Sequence, residues 1–359
     1  MEATVLGKSI IVPSVQELAK GSKLVTVPDR YIRDDVDALI SSTGDDNNDL
    51  QVPIIDMEGL LSGDGVELMK LHLACQDWGF FQLINHGVKL SLVEKLKIEI
   101  QEFFNLSIEE KKKFWQGPNE IEGYGQAFVL SEDQKLDWAD MFFLTTFPKH
   151  ERRPHLFPNL HPPFSDALED FSDETRKLGI KILECLGKTL GIGSLREVFG
   201  EGQQMMRMNY YPPCPEPHTV VGLTAHSDAV ALTILLQLND MDGLQIMKDG
   251  EWFLVKPVPN AFVVNVGDIL EILSNGTYKS VLHRAMVNVS KERLSIGSFY
   301  SPSLTNEIGP MTELTGPGTP GKFRRITMAD YWKGFFTRTL DGKSYLDAMR
   351  IQDSDEASV

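Results

Sequence analysis

The spacing of apolar residues predicts that helices make up much of the first half of the chain. Apolar positions recur every three or four residues over 92–104 and again over 178–190, which is the periodicity of a helix with one buried face. Shorter helical stretches are expected at 15–19 and 65–77. We therefore expect the first half to be mainly helical, with a few strands.

Two Ser-x-x-Glu sequences are candidate starts for these helices. In such a capping box the serine side chain accepts a hydrogen bond from the backbone three residues on, and the glutamate side chain reaches back to the serine backbone. Ser91 with Glu94 predicts a helix capped by Ser91. Ser107 with Glu110 predicts another helix that begins at Ile108.

Short β-prone runs dominate the chain after about residue 203, whereas only 52–56 and 79–85 show such runs earlier. The later runs, separated by turn signals such as Asp-Gly, lie at 233–238, 244–247, 252–255, 261–266 and 294–300. Many short strands at this spacing predict a closed or double-sheet β architecture, such as a jelly roll. The expected fold class is mainly β with flanking helices.

These patterns divide the chain into four regions. We expect an N-terminal extension at 1–50, which ends in a polar, linker-like run, and a mainly helical region at 51–200. The β core is expected at 201–305, and a C-terminal helical segment at 306–359.

Composition and charge narrow the classes of function. The 359 residues carry a formal net charge of −16, which disfavours nucleic acid and anionic membranes as partners. The three cysteines are far apart in the sequence and no run of about 18 apolar residues occurs, so neither a disulfide framework nor a membrane span is expected. The N-terminus lacks the apolar run of a signal peptide, and we expect a cytoplasmic enzyme, monomeric by default.

His226, Asp228 and His283 are candidate metal ligands. Residues i and i+2 of a strand point to the same side, so His226 and Asp228 can share a metal if the segment is extended. Two imidazoles and one carboxylate on one face of an octahedral ion suit Fe(II) in oxygen chemistry. Sites of two histidines and a carboxylate also bind zinc, which leaves a zinc hydrolase open.

Arg293 and Ser295 are candidates for binding a carboxylate. In the stretch 293–299, Arg293, Ser295, Gly297 and Phe299 alternate with other residues and would share one face of a strand. A planar guanidinium suits bidentate binding of a carboxylate, and an inward-facing arginine needs an anion to offset its desolvation. The alternative is a solvated charged turn at 291–293. The neighbouring metal triad favours the binding site.

The chain also resembles a known family through several short motifs. These are NYYPPCP at 209–215, LTAHSD at 223–228, LTILLQ at 232–237, DGLQ at 242–245, NVGD at 265–268, NGTYKS at 275–280, HR at 283–284 and ERLS at 292–295. They resemble plant 2-oxoglutarate- and Fe(II)-dependent dioxygenases, over about 52–351. Within that family the chain is similar to the senescence-related oxygenase-like subgroup, which includes alkaloid and flavonoid O-demethylases and hydroxylases. Residues 130–140 match a further motif of the subgroup, for which we expect a structural role.

This resemblance implies a double-stranded β-helix (jelly-roll) core and a set of site residues. The implied iron ligands are His226, Asp228 and His283. The implied binders of 2-oxoglutarate are Arg293, Ser295, Tyr211 and Asn209. The implied lining of the substrate pocket is Phe299, Arg207 and Tyr124. Fe(II) would be the cofactor, 2-oxoglutarate and O2 the co-substrates, and ascorbate the reductant.

The expected function is hydroxylation or O-demethylation of a small aromatic plant metabolite, with release of succinate and CO2. Phe128, Phe142, Phe143 and Phe299 are compatible with an aromatic substrate, although core packing explains phenylalanines equally well. The alternative is a catalytically silent β-barrel protein that binds small molecules, which an intact triad disfavours. A zinc hydrolase would leave Arg293 and Ser295 without a role, and no His-Glu-x-x-His sequence is present.

Overall fold

A computed structural model describes most of the chain. The described ranges are 9–20, 26–33, 51–117, 120–126, 129–193, 195–336 and 342–351. The polar run expected near 41–49, Phe128 and the end of the C-terminal segment lie outside these ranges.

The helices lie on both sides of the β-rich region in the sequence. They are α1 (Val15–Lys20), α2 (Met57–Ser62), α3 (Gly65–Leu73), α4 (Leu90–Asn105), α5 (Ile108–Lys111), α6 (Pro162–Leu190), α7 (Leu195–Phe199), α8 (Asp268–Leu273), α9 (Met328–Phe336) and α10 (Ser344–Met349). A π-helical turn, Ala74–Trp78, follows α3. No helix in the described ranges is both long enough and apolar enough to cross a membrane.

The strands come from nearly the whole length of the chain. They are β1 (Ile54–Asp56), β2 (Phe80–Ile84), β3 (Gly123–Gly125), β4 (Asp140–Phe147), β5 (Gln203–Tyr211), β6 (Leu223–His226), β7 (Leu232–Gln237), β8 (Leu244–Lys248), β9 (Glu251–Leu254), β10 (Phe262–Val266), β11 (His283–Ala285), β12 (Arg293–Ser301), β13 (Glu307–Ile308) and β14 (Ile326–Thr327).

Two sheets form the centre of the fold. The large sheet has the strand order β1-β2-β10-β7-β12-β5-β4-β3, and the small sheet has the order β6-β11-β8-β9. All of these pairs are antiparallel except β1 with β2. The large sheet contains strands that precede residue 200 and strands that follow it. The expected boundary between the regions 51–200 and 201–305 stays a prediction.

Helices α4 and α6 cover one face of the large sheet, because their apolar sides pack against alternate residues of its strands. Phe103 of α4 stacks on Phe142 of β4 with ring centroids 4.5 Å apart. Phe171 of α6 meets Phe262 of β10 edge-on at 6.2 Å. This face forms the main hydrophobic core, and the opposite face of the sheet is left for the site.

Several expectations about local structure are confirmed. The two long helical periodicities correspond to α4 and the second half of α6, which ends at Gly191 in a left-handed conformation (φ 68°). The capping box of Ser107 and Glu110 is formed in both directions. Each β-prone run at 233–300 contains a strand within about one residue of the expected bounds.

The expected cap at Ser91 is wrong. Helix α4 begins at Leu90, with Lys89 in the extended conformation of an N-cap and no side-chain cap. Ser91 is therefore already helical, whereas a cap residue must keep an extended backbone for its hydroxyl to reach the free N–H groups.

Strand β4 and helix α8 were not expected from the sequence. Seven of the eight residues of β4 are buried, and all six residues of α8 are buried. A strand or helix that is buried on all sides has no alternation of polar and apolar faces, so its periodicity does not identify it.

Candidate metal and co-substrate site

The two sheets enclose a cavity of about 280 Å³. Its walls include Phe143, Met205, Thr233 and Asn265 from the large sheet, and His226, Leu244 and His283 from the small sheet. All three predicted metal ligands, and the predicted binders of 2-oxoglutarate, line this one cavity.

His226, Asp228 and His283 converge on one point. His226 is the last residue of β6 and pairs directly with His283 on β11, while Asp228 follows two residues after β6. The Nε2 atoms of His226 and His283 lie 3.5 Å and 3.6 Å from Asp228 Oδ1. One ligand atom from each residue lies within 4.8 Å of the others, and all three residues are buried.

Backbone carbonyls orient both imidazoles toward this point. His226 Nδ1 lies 2.7 Å from Thr224 O, and His283 Nδ1 lies 3.2 Å from Val281 O. A carbonyl only accepts, so each Nδ1 carries the proton and each Nε2 keeps its lone pair for a metal. Burial lowers the pKa of His283 to about 4 against the attraction of Asp228, and so keeps this imidazole neutral near pH 7.

Asp228 offers one oxygen to the same point. Its Oδ2 accepts hydrogen bonds from Thr233 Oγ1 at 2.6 Å and from Asn265 Nδ2 at 2.8 Å, while Oδ1 faces the imidazoles. Burial would raise the pKa of Asp228, but His283 and His226 outweigh it and hold that pKa well below its usual range. The carboxylate is therefore ionised and oriented as a ligand through Oδ1.

Arg293 is a buried cation, 2% exposed, and forms no ion pair within 4 Å among the residues that the structure describes, although Asp242 attracts it from a greater distance. Its Nη atoms lie 3.5 Å from Ser295 Oγ and 3.4 Å from Gln237 Oε1, and its Nε has no partner. Burial accordingly lowers the pKa of the guanidinium. A buried charge without a counterion is costly, so this site is suited to an anionic ligand.

The pairing of β5 with β12 places the predicted co-substrate residues side by side. Arg293 is opposite Tyr211, and Ser295 is opposite Asn209. Asn209 Nδ2 lies 3.5 Å from Ser295 Oγ, and Asn209 Oδ1 has no partner. These polar groups, together with the triad, form what we call the polar end of the cavity.

The next two pairs on the same face of these strands carry two of the three predicted substrate residues. Arg207 is opposite Gly297, Phe299 is opposite Met205, and all four residues line the cavity. Arg293, Ser295, Gly297 and Phe299 thus share one face of β12, as the alternation in the sequence predicts. A Cβ at Gly297 would lie 3.1 Å from the Phe299 ring, so the glycine keeps this part of the cavity open.

Tyr124, the third predicted substrate residue, requires a correction, because it does not line the cavity. It is paired with Phe142, whose side chain points into the core under α4, and cross-strand partners share a face. The Tyr124 hydroxyl donates to Asp140 Oδ2 at 2.9 Å and lies 3.1 Å from Ser14 Oγ.

Sequence reasoning missed a second set of cavity residues. Trp332, Phe335 and Phe336 of α9 line the cavity together with Phe143 and Phe299, and we call these five residues the apolar wall. The sequence YWKGFF at 331–336 has helical spacing of aromatic residues, but nothing local shows which surface they face. Arg33 and Asp137 also line the cavity and were not predicted.

The arrangement fits a metal with one open face and an anionic second ligand. Two imidazoles and a carboxylate through one oxygen form the donor set typical of non-haem Fe(II) in oxygenases. Zinc would accept the same donors. Arg293, which is buried and forms no ion pair within 4 Å among the described residues, favours an Fe(II) oxygenase, because it provides for a carboxylate that a zinc hydrolase does not need.

Fold and site together define an oxygenase with a non-haem metal centre, and sequence comparisons agree. The sequence model of the 2OG-Fe(II) oxygenase superfamily matches residues 202–302, and that of the N-terminal region of non-haem dioxygenases in morphine synthesis matches residues 52–163. The chain belongs to the 2-oxoglutarate- and Fe(II)-dependent dioxygenases, and is an oxidoreductase that uses Fe(II) and 2-oxoglutarate.

Similar proteins over the full length come from plants. Protein SRG1 of Arabidopsis thaliana is 54% identical and the match covers 96% of this chain and 97% of the relative. Oxoglutarate-dependent flavonoid 7-O-demethylase 1 of Ocimum basilicum is 51% identical, covering 98% and 94%. The crystal structure of JOX2 in complex with 2OG, Fe and JA shares 36% identity and a TM-score of 0.85, covering 95% of this chain and 98% of that chain.

Proposed function

We propose that this dioxygenase hydroxylates or O-demethylates a small aromatic plant metabolite. In this proposal His226, Asp228 and His283 hold the iron, and Arg293 with Ser295, Tyr211 and Asn209 holds 2-oxoglutarate. The sheets around them are taken as a double-stranded β-helix. Three buried, unpaired cysteines are compatible with a cytoplasmic setting.

One observation supports the co-substrate assignment most strongly. Arg293 is a buried cation that faces the same cavity as the triad and forms no ion pair within 4 Å among the described residues. The distal carboxylate of 2-oxoglutarate would supply that anion through charge-assisted hydrogen bonds. Tyr211 would add a donor on the same side, since its ring lies 5.3 Å from the guanidinium carbon.

The apolar wall supports the assignment of the substrate class. Phe143, Phe299, Trp332, Phe335 and Phe336 enclose the part of the cavity next to the polar end, and aromatic surfaces of this kind suit a flat ring system. Exclusion of water by this wall would also protect the reaction from side chemistry. Two of the similar proteins are named as O-demethylases of a flavonoid and of thebaine.

Bound iron would supply the activation of O2, with 2-oxoglutarate oxidised to succinate and CO2. One oxygen atom of O2 enters succinate and the other enters the substrate as a hydroxyl group. On a methyl ether the product is a hemiacetal, which releases formaldehyde and leaves the free hydroxyl. Hydroxylation and demethylation thus differ only in which C–H bond the cavity presents to the metal.

The test is to measure succinate formed from 2-oxoglutarate with Fe(II), ascorbate and methoxylated flavonoids or alkaloids. Formaldehyde released in equal amount to succinate is expected for demethylation, and succinate without formaldehyde for hydroxylation. The matched control is His226→Ala, which should form neither product. Absence of any succinate from iron-loaded wild-type protein, with or without a substrate, would favour the silent binding protein instead.

A further inference from the structure

The motif at 130–140 connects the N-terminal part of the chain to the metal site. The segment 26–33 runs along this motif and along the residues that lead into β6. Leu136 donates its backbone N–H to Arg30 O at 2.9 Å, and Arg33 donates its own to Thr219 O at 2.8 Å. The 26–33 segment is therefore fixed between two parts of the chain that border the cavity.

Arg33, Asp137 and Thr224 form a hydrogen-bonded cluster at the end of this segment. Arg33 Nη2 lies 3.0 Å from Asp137 Oδ1 and 2.6 Å from Thr224 Oγ1. Asp137 Oδ1 also accepts the Thr224 backbone N–H at 3.1 Å and the Thr224 hydroxyl. The backbone and the side chain of Thr224 are thus both held by the same carboxylate.

Thr224 is the residue whose carbonyl orients His226. The distance from Thr224 O to His226 Nδ1 is 2.7 Å, compared with 3.2 Å between Val281 O and His283 Nδ1. A cluster that holds the N–H and the side chain of Thr224 fixes this residue, and with it the carbonyl that the same residue presents to His226. The tautomer and the ring orientation of His226 depend on that carbonyl.

The cluster is better suited to positioning than to stabilising the fold. The side chains of Arg33 and Asp137 are 18% and 24% exposed, and a partly exposed ion pair contributes little to the free energy of unfolding. In contrast, partners behind a metal ligand change metal affinity by about 10- to 100-fold when they are removed.

We propose that Arg33 and Asp137 are positioning residues for the metal site, acting on His226 through Thr224. The N-terminal segment 26–33, which lies outside both matched family regions, is then part of the metal centre. The proposal rests on the assignment of His226 as a ligand in the proposed function.

The test compares two variants of Thr224 in the full-length protein. Thr224→Val keeps the shape and the backbone carbonyl but removes the hydroxyl through which Thr224 binds Arg33 and Asp137, whereas Thr224→Ser keeps the hydroxyl. Binding of Co(II), a visible stand-in for Fe(II), is titrated without substrate by absorption. We expect about 10-fold weaker binding for Thr224→Val and Asp137→Ala, and near wild-type binding for Thr224→Ser.

Arg30→Gln provides the control for docking of the segment. Arg30 binds Ser131 O, Glu132 and Gln134 O and does not contact Thr224, so its replacement should leave Co(II) affinity unchanged. Three results for Co(II) affinity would overturn the proposal. The first is no loss in Thr224→Val, and the second is an equal loss in Thr224→Val and Thr224→Ser. The third is an equal loss in Arg30→Gln and Asp137→Ala. Unchanged Co(II) binding in His226→Ala would instead show that the ligand assignment has failed.

Discussion

The polar end of the cavity and its apolar wall are built in different ways. The polar end comes mainly from neighbouring strands, in which β5 pairs with β12 and β6 pairs with β11, and hydrogen bonds orient all three residues of the triad. The apolar wall combines β4, β12 and helix α9, which are distant in the sequence, and it is held by packing. Hydrogen bonds at the polar end hold individual atoms in position, whereas packing at the apolar wall determines the shape of the cavity.

This difference explains why the reaction class is better defined than the substrate. Directional hydrogen bonds and charge at the polar end admit few ligands, because an unpaired buried group is costly there. Apolar contacts are not directional, so the wall accepts many aromatic shapes of suitable size. Substitutions at the two ends should therefore affect different kinetic constants.

The largest effect is expected for loss of a metal ligand. His226→Ala should reduce succinate formation by more than about 100-fold, because the loss of a direct ligand exceeds the loss of a partner behind one. Co(II) titration should show the same loss of affinity, while the circular dichroism spectrum stays that of the wild type. Activity near that of the wild type would show that another residue holds the metal.

A second large effect is expected at the buried cation. Arg293→Leu should raise the KM for 2-oxoglutarate about 10- to 100-fold, the range for hydrogen bonds to a charged group, with a smaller change in the KM for substrate.

The same variant removes a buried charge that forms no ion pair within 4 Å among the described residues. Without 2-oxoglutarate, its melting temperature should therefore equal or exceed that of the wild type. A melting temperature well below the wild type would show that Arg293 has a structural partner. An unchanged KM for 2-oxoglutarate would assign the carboxylate to another residue.

The polar end was also the part of the site that the sequence could predict. The shared face of Arg293, Ser295, Gly297 and Phe299 follows from the alternation of a strand, and the i, i+2 spacing brings His226 and Asp228 together although Asp228 lies just beyond the end of β6. The roles of Tyr211 and Asn209 came from the family resemblance, and the register of β5 with β12 places both beside Arg293 and Ser295.

The apolar wall could not be predicted in the same way. Phe142 and Phe143 are adjacent in β4, yet one packs on Phe103 in the core and the other lines the cavity. Which of the two faces the cavity depends on the register of β4 with β5, a contact between residues about 60 positions apart. Tyr124 was misplaced for the same reason, since its face follows from its pairing with Phe142.

A smaller and more selective effect on KM is expected at Arg207, which lies between the polar end and the apolar wall. Arg207 lies two pairs beyond Ser295 and Asn209, on the same face and toward Phe299, so it is placed to bind the substrate and not 2-oxoglutarate. Arg207→Gln should raise the KM for substrate about 10-fold and leave the KM for 2-oxoglutarate unchanged. A raised KM for 2-oxoglutarate with an unchanged KM for substrate would show that Arg207 contacts 2-oxoglutarate instead.

The smallest catalytic effect is expected for Tyr124→Phe, which tests whether this tyrosine lies outside the cavity. Its hydroxyl is one of the donors to the buried Asp140, together with Ser14 Oγ at 2.6 Å and the backbone of Val15 and Gln16. Removing that donor should lower the free energy of unfolding by about 1 kcal/mol, measured by urea titration, with the KM values for both substrates unchanged. A raised KM for the aromatic substrate would show that Tyr124 lines the substrate pocket. A lowered stability alone would place it in the contact that holds helix α1 to the sheet, on the far side of β4 from the apolar wall.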